Sequence, residues 1–457
     1  MWKRWLKILR LALPSLVSYA SITLTGTLTL IILGHIDVVA IAVVGVANIV
    51  MYNVFALFSG FGHTLNYLVA QNYGANDMEK AIERTFLTLI MAGIISVLIA
   101  LAGLFFAGDV LRLIGGEASS EIAVGGTYMQ LRFFAMAFGI YNFVFHGFMR
   151  GIGDTRTPMI LSMIANVTIV FLTYALAYGH FGFPELGLTG AGYAFLIGEA
   201  LGAIGCMYVY FVRLHPRYNT RRIIKVDRAE SALILKESGK LGLQEFCMSA
   251  SMLIFTMFVA RLGHIALAAN EVSLNVMSLG FMPAFAFGAT ATILVGQEIG
   301  RNNPLNARRY GTETAVIGSL FLLAIGAIEF WLAEPIAKIY STDPAVFELA
   351  ALLIMISAFW QVVDGWLNFY AGGLRGIGDT TFLVFSSFLL GIFMFIPLSY
   401  LFIFVFDWGS IGAWVALYTY LTAFGISVMI RFYRTDWASV TIKSARSAQE
   451  ESEKIYV

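Results

Sequence analysis

Long apolar runs alternate with short polar breaks along the whole chain. Runs near 11–34, 40–69, 85–107, 122–148, 158–180, 188–212, 240–262, 265–296, 314–333, 347–371, 381–406 and 410–432 are each long enough to cross a hydrocarbon core of about 30 Å. They predict twelve helices. The breaks carry the polar punctuation: Gln71 to Lys80, Gly115 to Glu121, Arg150 to Thr157, Phe183 to Gly187, Arg213 to Lys240, Arg301 to Arg309 and Arg375 to Asp379. The first run, from Leu11, is about 24 residues long and more apolar sequence follows it, which exceeds the apolar core of a cleaved signal peptide. It reads as a retained span.

Composition strengthens this picture. Of 457 residues, 59% are hydrophobic and 12% charged, with mean hydropathy +0.80, against about 25% charged in an ordinary soluble domain. A soluble globular protein is excluded, because no domain of this size hides so much apolar surface from water. The net charge of +1 provides no field for nucleic acid. Cys206 and Cys247 both fall inside apolar stretches and read as small buried hydrophobes. With the N-terminus inside, 25 of the 29 Lys and Arg residues fall in the terminal segments and even-numbered loops. Only Arg112, Arg132, Arg261 and Lys338 lie on the other side. The positive-inside rule therefore predicts that both termini are cytoplasmic.

The pattern repeats. Leu33-Gly34-His35-Ile36 recurs as Leu262-Gly263-His264-Ile265, and LVAQNYGAND (68–77) aligns with LVGQEIGRNN (294–303). RGIGDT (150–155) returns unchanged at 375–380, and Gly190-Ala191 matches Gly412-Ala413. The offsets fall from 229 through 226 and 225 to 222, so the chain is a duplicated six-helix unit whose register drifts by a few loop residues. Six spans is an even number, so both copies enter the membrane with the same orientation, as parallel repeats about an axis along the membrane normal. The expected fold is an all-α polytopic membrane protein, twelve transmembrane helices in two six-helix bundles related by a pseudo-two-fold. The expected parts are an N-terminal lobe at 1–212, a cytoplasmic linker at 213–240, a C-terminal lobe at 241–434 and a cytoplasmic tail at 435–457. Such a duplication points to a transporter.

Carboxylates at depth mark function in a membrane protein, since each costs at least about 2.5 kcal/mol at the helix centre unless something compensates. Five qualify: Glu199, Glu245, Glu271, Glu329 and Asp364. Glu271 and Glu329 lie near predicted helix ends, where they can reach water, and Glu199 has no acidic counterpart in the second half. Glu245 lies about nine residues into its helix and Asp364 seven from the end of its own, depths of ~13 and ~10 Å at ~1.5 Å per residue. Two carboxylates at similar depth in one lobe can share a proton or cradle a small cation, and would titrate as a coupled unit. No basic residue within a span is placed to neutralise them. With no embedded Lys or Arg beside them, the path favours organic cations and amphiphiles over anions. Trp360, Met257, Met277, Phe281, Met282, Glu271 and Glu199 are its candidate lining residues by helix position.

Enzymatic readings find little support. Gly151-Ile-Gly-Asp154 and Gly376-Ile-Gly-Asp379 match the GxGD string of intramembrane aspartyl proteases, but no partner Tyr-Asp precedes either copy, and a helix-capping turn accounts for them. The six histidines (35, 63, 146, 180, 215, 264) never fall in a ligand spacing and read as loop or helix-end residues. Neither a metal site nor a cofactor is expected, apart from a coupling proton or a sodium ion at Glu245 and Asp364. Nothing resembles the selectivity-filter loop of a channel.

In order along the chain, LALP (11–14), VAQNYGAND (69–77), MRGIGDTRTPM (149–159), FGFPELGLTGAG (181–192), FGATATILVGQEIG (287–300) and LRGIGDT (374–380) resemble the multidrug and toxic compound extrusion (MATE) transporters. The resemblance runs from Leu11 to about Arg434. It implies two six-helix bundles around a central cavity that faces each side of the membrane in turn, and cation-coupled antiport of organic cations. It also implies a multi-pass location in a prokaryotic-type plasma (inner) membrane, in lipid contact and as a monomer. Many members carry an Asp in the first helix where this chain has Thr29, and an Asn and an Asp in the fifth where it has Ile169 and Thr173; coupling through the first lobe is therefore not expected. The family's acids of the seventh and tenth helices align with Glu245 and Asp364. Trp360 stands where some members place a Tyr one turn before the Asp, which removes an oxygen a sodium ion would use and favours protons over sodium. The alternative within the same duplicated fold is a flippase of a lipid-linked precursor, but its anionic headgroup would need several basic residues in the cavity.

Overall fold

A computed structural model describes the chain except residues 1, 36–37, 116–118, 223–225, 342 and 445–457, so most of the tail expected at 435–457 lies outside the described residues. Among the described residues every regular element is helical. In order they are α1 (Trp2–Gly34), α2 (Val38–Gly74), α3 (Met78–Gly115), α4 (Ser119–Gly151), α5 (Arg156–Tyr178), α6 (Gly187–Tyr208), a short α7 (His215–Tyr218), α8 (Arg228–Ala260), α9 (His264–Gly300), α10 (Pro304–Trp331), α11 (Ala333–Tyr340), α12 (Pro344–Ile377), α13 (Thr380–Leu390), α14 (Ile396–Tyr400) and α15 (Gly409–Arg434). A wide turn at Gly391–Phe395 joins α13 to α14 and a second at Leu401–Val405 continues from it, making one 26-residue apolar run around Pro397. Counting that run once, 11 helices among the described residues are long and apolar enough to cross a membrane. The predicted fourth span is α4, a 33-residue helix that falls outside this set because Gln130, Arg132, Asn142 and His146 dilute its apolar sequence.

Contacts divide the described chain into two units, one of residues 17–242 and one of residues 2–16 with 243–443. In the first, α4 is central and packs on α2, α3 and α6, burying Tyr128, Phe145 and Phe148. In the second, α12 has the same role against α9, α10 and α15. Both use glycine for close approach, as helices do in lipid, where small residues let backbones meet. A Cβ on Gly147 of α4 would lie 2.4 Å from the Gly62 carbonyl oxygen of α2, and one on Gly372 of α12 would lie 2.1 Å from that of Gly288 on α9. These are the same positions of the two repeats.

The stretch expected as a linker at 213–240 is helical from Arg228 onward. Its first turns pack in the 17–242 unit, where Glu230 accepts from Arg84 Nε at 2.9 Å and pairs with Lys80 at 3.2 Å. In the other unit the first turns of α1 do likewise, with Arg4 bonded to Glu313 at 2.7 Å and the Lys7 ammonium over the Tyr310 ring. The repeated GIGD strings end α4 and α12 in turns. Gly153 and Gly378 take φ of 86° and 82°, the left-handed form that favours glycine, and the Asp154 carboxylate caps α5 by accepting from the Thr157 amide at 3.0 Å. That is a structural use of the string. His63 and His146, expected at loops or helix ends, sit within α2 and α4; among the described residues no His, Cys, Asp or Glu cluster could hold a metal.

Candidate functional site

Helix α12 begins at Pro344, with the Asp343 side chain accepting from the Ala345 amide at 3.0 Å. Ser357, Gln361 and Asp364 follow at intervals of four and three, so they share one helical face. All three are buried, Gln361 to 3% and Asp364 to 4% exposure. That face meets α9, α10 and α15. From α10 comes Glu329, also 4% exposed, whose carboxylate accepts from Gln361 Nε2 at 3.1 Å. From α15 come Tyr418, which donates to Ser357 Oγ at 2.8 Å, and Tyr420. The Tyr418 hydroxyl lies within electrostatic reach of both Asp364 and Glu329.

Backbone packing holds Gln361 in place. A Cβ on Gly280 of α9 would fall 1.8 Å from Gln361 Nε2, and one on Gly326 of α10 would fall 3.0 Å from its Oε1. Three acceptor oxygens of this cluster are buried with no hydrogen-bond partner among the described residues: Asp364 Oδ1, Glu329 Oε1 and Gln361 Oε1. Such atoms are costly to leave bare, so the arrangement suits a proton or another small donor or cation. Counting along the sequence put Glu329 close enough to a helix end to reach water, and the structure corrects this. Helix α11 follows α10 almost at once and packs on α12, and Glu329 points into the helix contacts.

Glu245 is placed differently. Its carboxylate accepts from the Arg375 guanidinium at 2.7 Å, with side-chain exposures of 16% and 11%. The expectation that no basic residue neutralises it is overturned, because Arg375, a loop residue by sequence, lies in the last turn of α12 and reaches back across to α8. Glu245 and Asp364 are not bonded to each other; Tyr420, whose buried hydroxyl has no hydrogen-bond partner among the described residues, is within electrostatic reach of both. In the first repeat the equivalent arginine, Arg150, donates instead to the Tyr19 hydroxyl of α1 at 3.0 Å.

The other predicted residues scatter. Trp360 is 36% exposed and set edge-on to Phe359. Met257 is 57% exposed, Phe281 half-buried, and Met277 and Met282 are packed in the core. Glu271 is exposed, in keeping with its position near a helix end. Glu199 is held by Asn142 of α4, whose Nδ2 donates to Oε2 at 2.8 Å. Thr29 donates to the Thr25 carbonyl at 2.6 Å and Thr173 is buried. An apolar groove of about 320 Å³ between α10 and α12, lined by Ser319, Leu323, Val362 and Trp366 among others, contains none of the acids. Sequence reasoning missed Gln361, Tyr418, Tyr420 and Arg375. The signal for Gln361 was available, since an amide three residues before an intramembrane acid lies on the same face.

Comparison with known proteins comes down on one family. The MatE family model matches residues 14–175 and again 241–408, once per repeat. The "Probable multidrug resistance protein NorM" of Thermotoga maritima is 29% identical over 421 residues, covering 90% of this chain and 88% of that protein. The "Multidrug resistance protein PmpM" of Pseudomonas aeruginosa is 26% identical over 442 residues, covering 94% and 91%. Among solved structures, a MATE transporter in its straight conformation superposes with TM-score 0.86 at 20% identity, covering 94% and 96%. A MOP superfamily transporter from Pyrococcus furiosus superposes with TM-score 0.83 at 19% identity, covering 94% and 97%.

Proposed function

Because the chain belongs to the MATE family of transporters, we propose that it is a multidrug efflux antiporter that exchanges protons, in preference to sodium, for organic cations by alternating access. The observation that carries this reading is Asp364: a carboxylate on the central helix α12, 4% exposed, with one oxygen free of any hydrogen bond among the described residues and no ion-pair partner there. A group in that state binds a positive charge readily, either a proton or the cationic centre of a substrate. The two compete for one carboxylate, and competition is what antiport requires. Trp360, one turn earlier and partly exposed, offers an aromatic face to the substrate cation. Glu245 is the second coupling carboxylate: its ion pair with Arg375 ties α8 to the end of α12, so it acts by linking the movement of the two helices to the state of Asp364. Multidrug resistance in the names of the relatives supports the substrate class. We place the protein in the plasma (inner) membrane as a monomer with both termini cytoplasmic, and its lobes at 1–212 and 241–434. Each pH unit supplies about 1.4 kcal/mol per proton, and each 100 mV about 2.3 kcal/mol per charge.

The test is efflux of a fluorescent organic cation from proteoliposomes under an imposed pH gradient or an imposed sodium gradient, with wild type and Asp364→Asn. Movement driven by the pH gradient and lost in the variant is expected. Movement driven by sodium alone would reassign the ion. No movement under either gradient would turn attention to a lipid-linked substrate.

A further inference from the structure

We infer that Glu329, held by Gln361 about one turn before Asp364 on α12, is a second proton-holding carboxylate, so that this half of the chain moves two protons per substrate. The inference rests on the proton-driven antiport proposed above and deepens it.

The geometry is built for two carboxyls acting together. Gln361 Nε2 donates to Glu329, and Gln361 and Asp364 are neighbours on one face of α12. The amide is fixed by the close approach of Gly280 and Gly326 on either side. The Tyr418 hydroxyl, within reach of both acids, has its proton committed to Ser357 and serves neither. The groups that face the cluster are Tyr418 and Tyr420 from α15, Ser357 from α12 itself, and the backbone at Gly280 of α9 and Gly326 of α10. Among the described residues, the ion pairs of this unit join Arg4 to Glu313, Arg301 to Glu298, Lys338 to Glu334, Arg375 to Glu245 and Arg431 to Asp379. None reaches Glu329 or Asp364.

Among the described residues, three unpartnered buried acceptors with no ion-pair partner for either acid define what the cluster lacks: hydrogen-bond donors and positive charge. Two protons supply both, because each converts an acceptor-only carboxylate into a carboxyl with one O–H donor. On uptake two O–H bonds form, one on Glu329 and one on Asp364. On release both break, and the protons leave to water while the organic cation travels the other way. A singly charged substrate thus exchanges with net transfer of one charge per turnover. Nothing in the sequence spacing marked Glu329 for this, since its partner amide lies 32 residues away.

Stoichiometry is read from the steady substrate gradient that a fixed pH difference supports. Proteoliposomes holding the full-length protein are loaded with tetraphenylphosphonium, and the voltage is clamped at zero by potassium and valinomycin. Two protons per substrate support about a hundredfold gradient per pH unit and one proton about tenfold. The expected results are about hundredfold for wild type, about tenfold for Glu329→Gln, and a return to hundredfold for Glu329→Asp. A tenfold gradient in wild type, or a hundredfold one in Glu329→Gln, overturns the inference and leaves proton antiport standing. No pH-driven gradient in wild type overturns the antiport reading itself. If Glu329→Gln does not fold, wild-type protein is treated with dicyclohexylcarbodiimide, which attacks protonated carboxyls in apolar surroundings, and the adducts are mapped by peptide mass. Adducts on both Glu329 and Asp364 are expected, and absence of one on Glu329 overturns the inference.

Discussion

Arg375 changes what a mutation at Glu245 means. Removing one partner of a buried ion pair leaves the other charge uncompensated, at about 3–5 kcal/mol in a fully buried setting; with both side chains slightly exposed the cost falls below that range. Glu245→Gln and Arg375→Gln are each expected to lower the thermal midpoint of the detergent-solubilised protein, and the double variant to recover most of the loss. Transport separates structure from coupling: the double variant is stable and still inactive if Glu245 takes part in coupling, and active if the carboxylate only neutralises Arg375. Thr29 and Thr173 give the contrast. Thr29 already bonds to its own helix, and Ala at either position is expected to cost about 1 kcal/mol with proton-driven efflux retained. Severe transport loss in either would restore the first repeat as a coupling site. At this scale the sequence was informative about residue type at depth, which singled out Asp364. It was silent about partners, because the contacts from Arg375 to Glu245 and from Gln361 to Glu329 join different helices.

Helix contacts explain which elements were legible. Apolar run length located the spans, but α1 starts at Trp2 and α8 at Arg228, each well before its apolar run. Those first turns are charged, and a charged helix end is stable only where it finds partners, as Arg4 does in Glu313 and Glu230 in Arg84; no periodicity reports that. Glycine shows the converse, since the repeated positions in α2 with α4 and in α9 with α12 were visible as a duplication whose purpose only packing reveals. Gly147→Ala and Gly372→Ala must each push two helix backbones apart, which is expected to destabilise by about 1–3 kcal/mol. Gly108→Ala in α3, where a Cβ meets nothing within 4 Å, is expected to be neutral or to gain up to about 1 kcal/mol from helix propensity. Thermal melts of the three variants in detergent check the ordering, and equal midpoints would show that the close approaches are not what fixes these helices.

Across the whole molecule, the duplication kept the frame and let the chemistry diverge. At the offset of 225 that joins α4 to α12, Gly139 stands opposite Asp364 and Met136 opposite Gln361. In α1 and α8, where the offset is 229, Leu16 stands opposite Glu245, and Tyr19, about one turn further on, meets Arg150, the repeat equivalent of Arg375. The first half therefore retains the arginine clasp without any acid to couple to it. Tyr19→Glu would give Arg150 a carboxylate like that of Arg375 while Gly139 still occupies the position of Asp364. If coupling needs the acid on the central helix, the new ion pair adds no second proton pathway. Efflux in Tyr19→Glu should keep the wild-type gradient per pH unit and still be abolished by Asp364→Asn, with stability changed by about 1 kcal/mol or less, the usual worth of a partly exposed pair. Proton-driven efflux in the double variant Tyr19→Glu with Asp364→Asn would show instead that a carboxylate at the arginine clasp is enough to couple. Coupling would then move from α12 to the clasp, and Glu245 would become the principal acid of the second half.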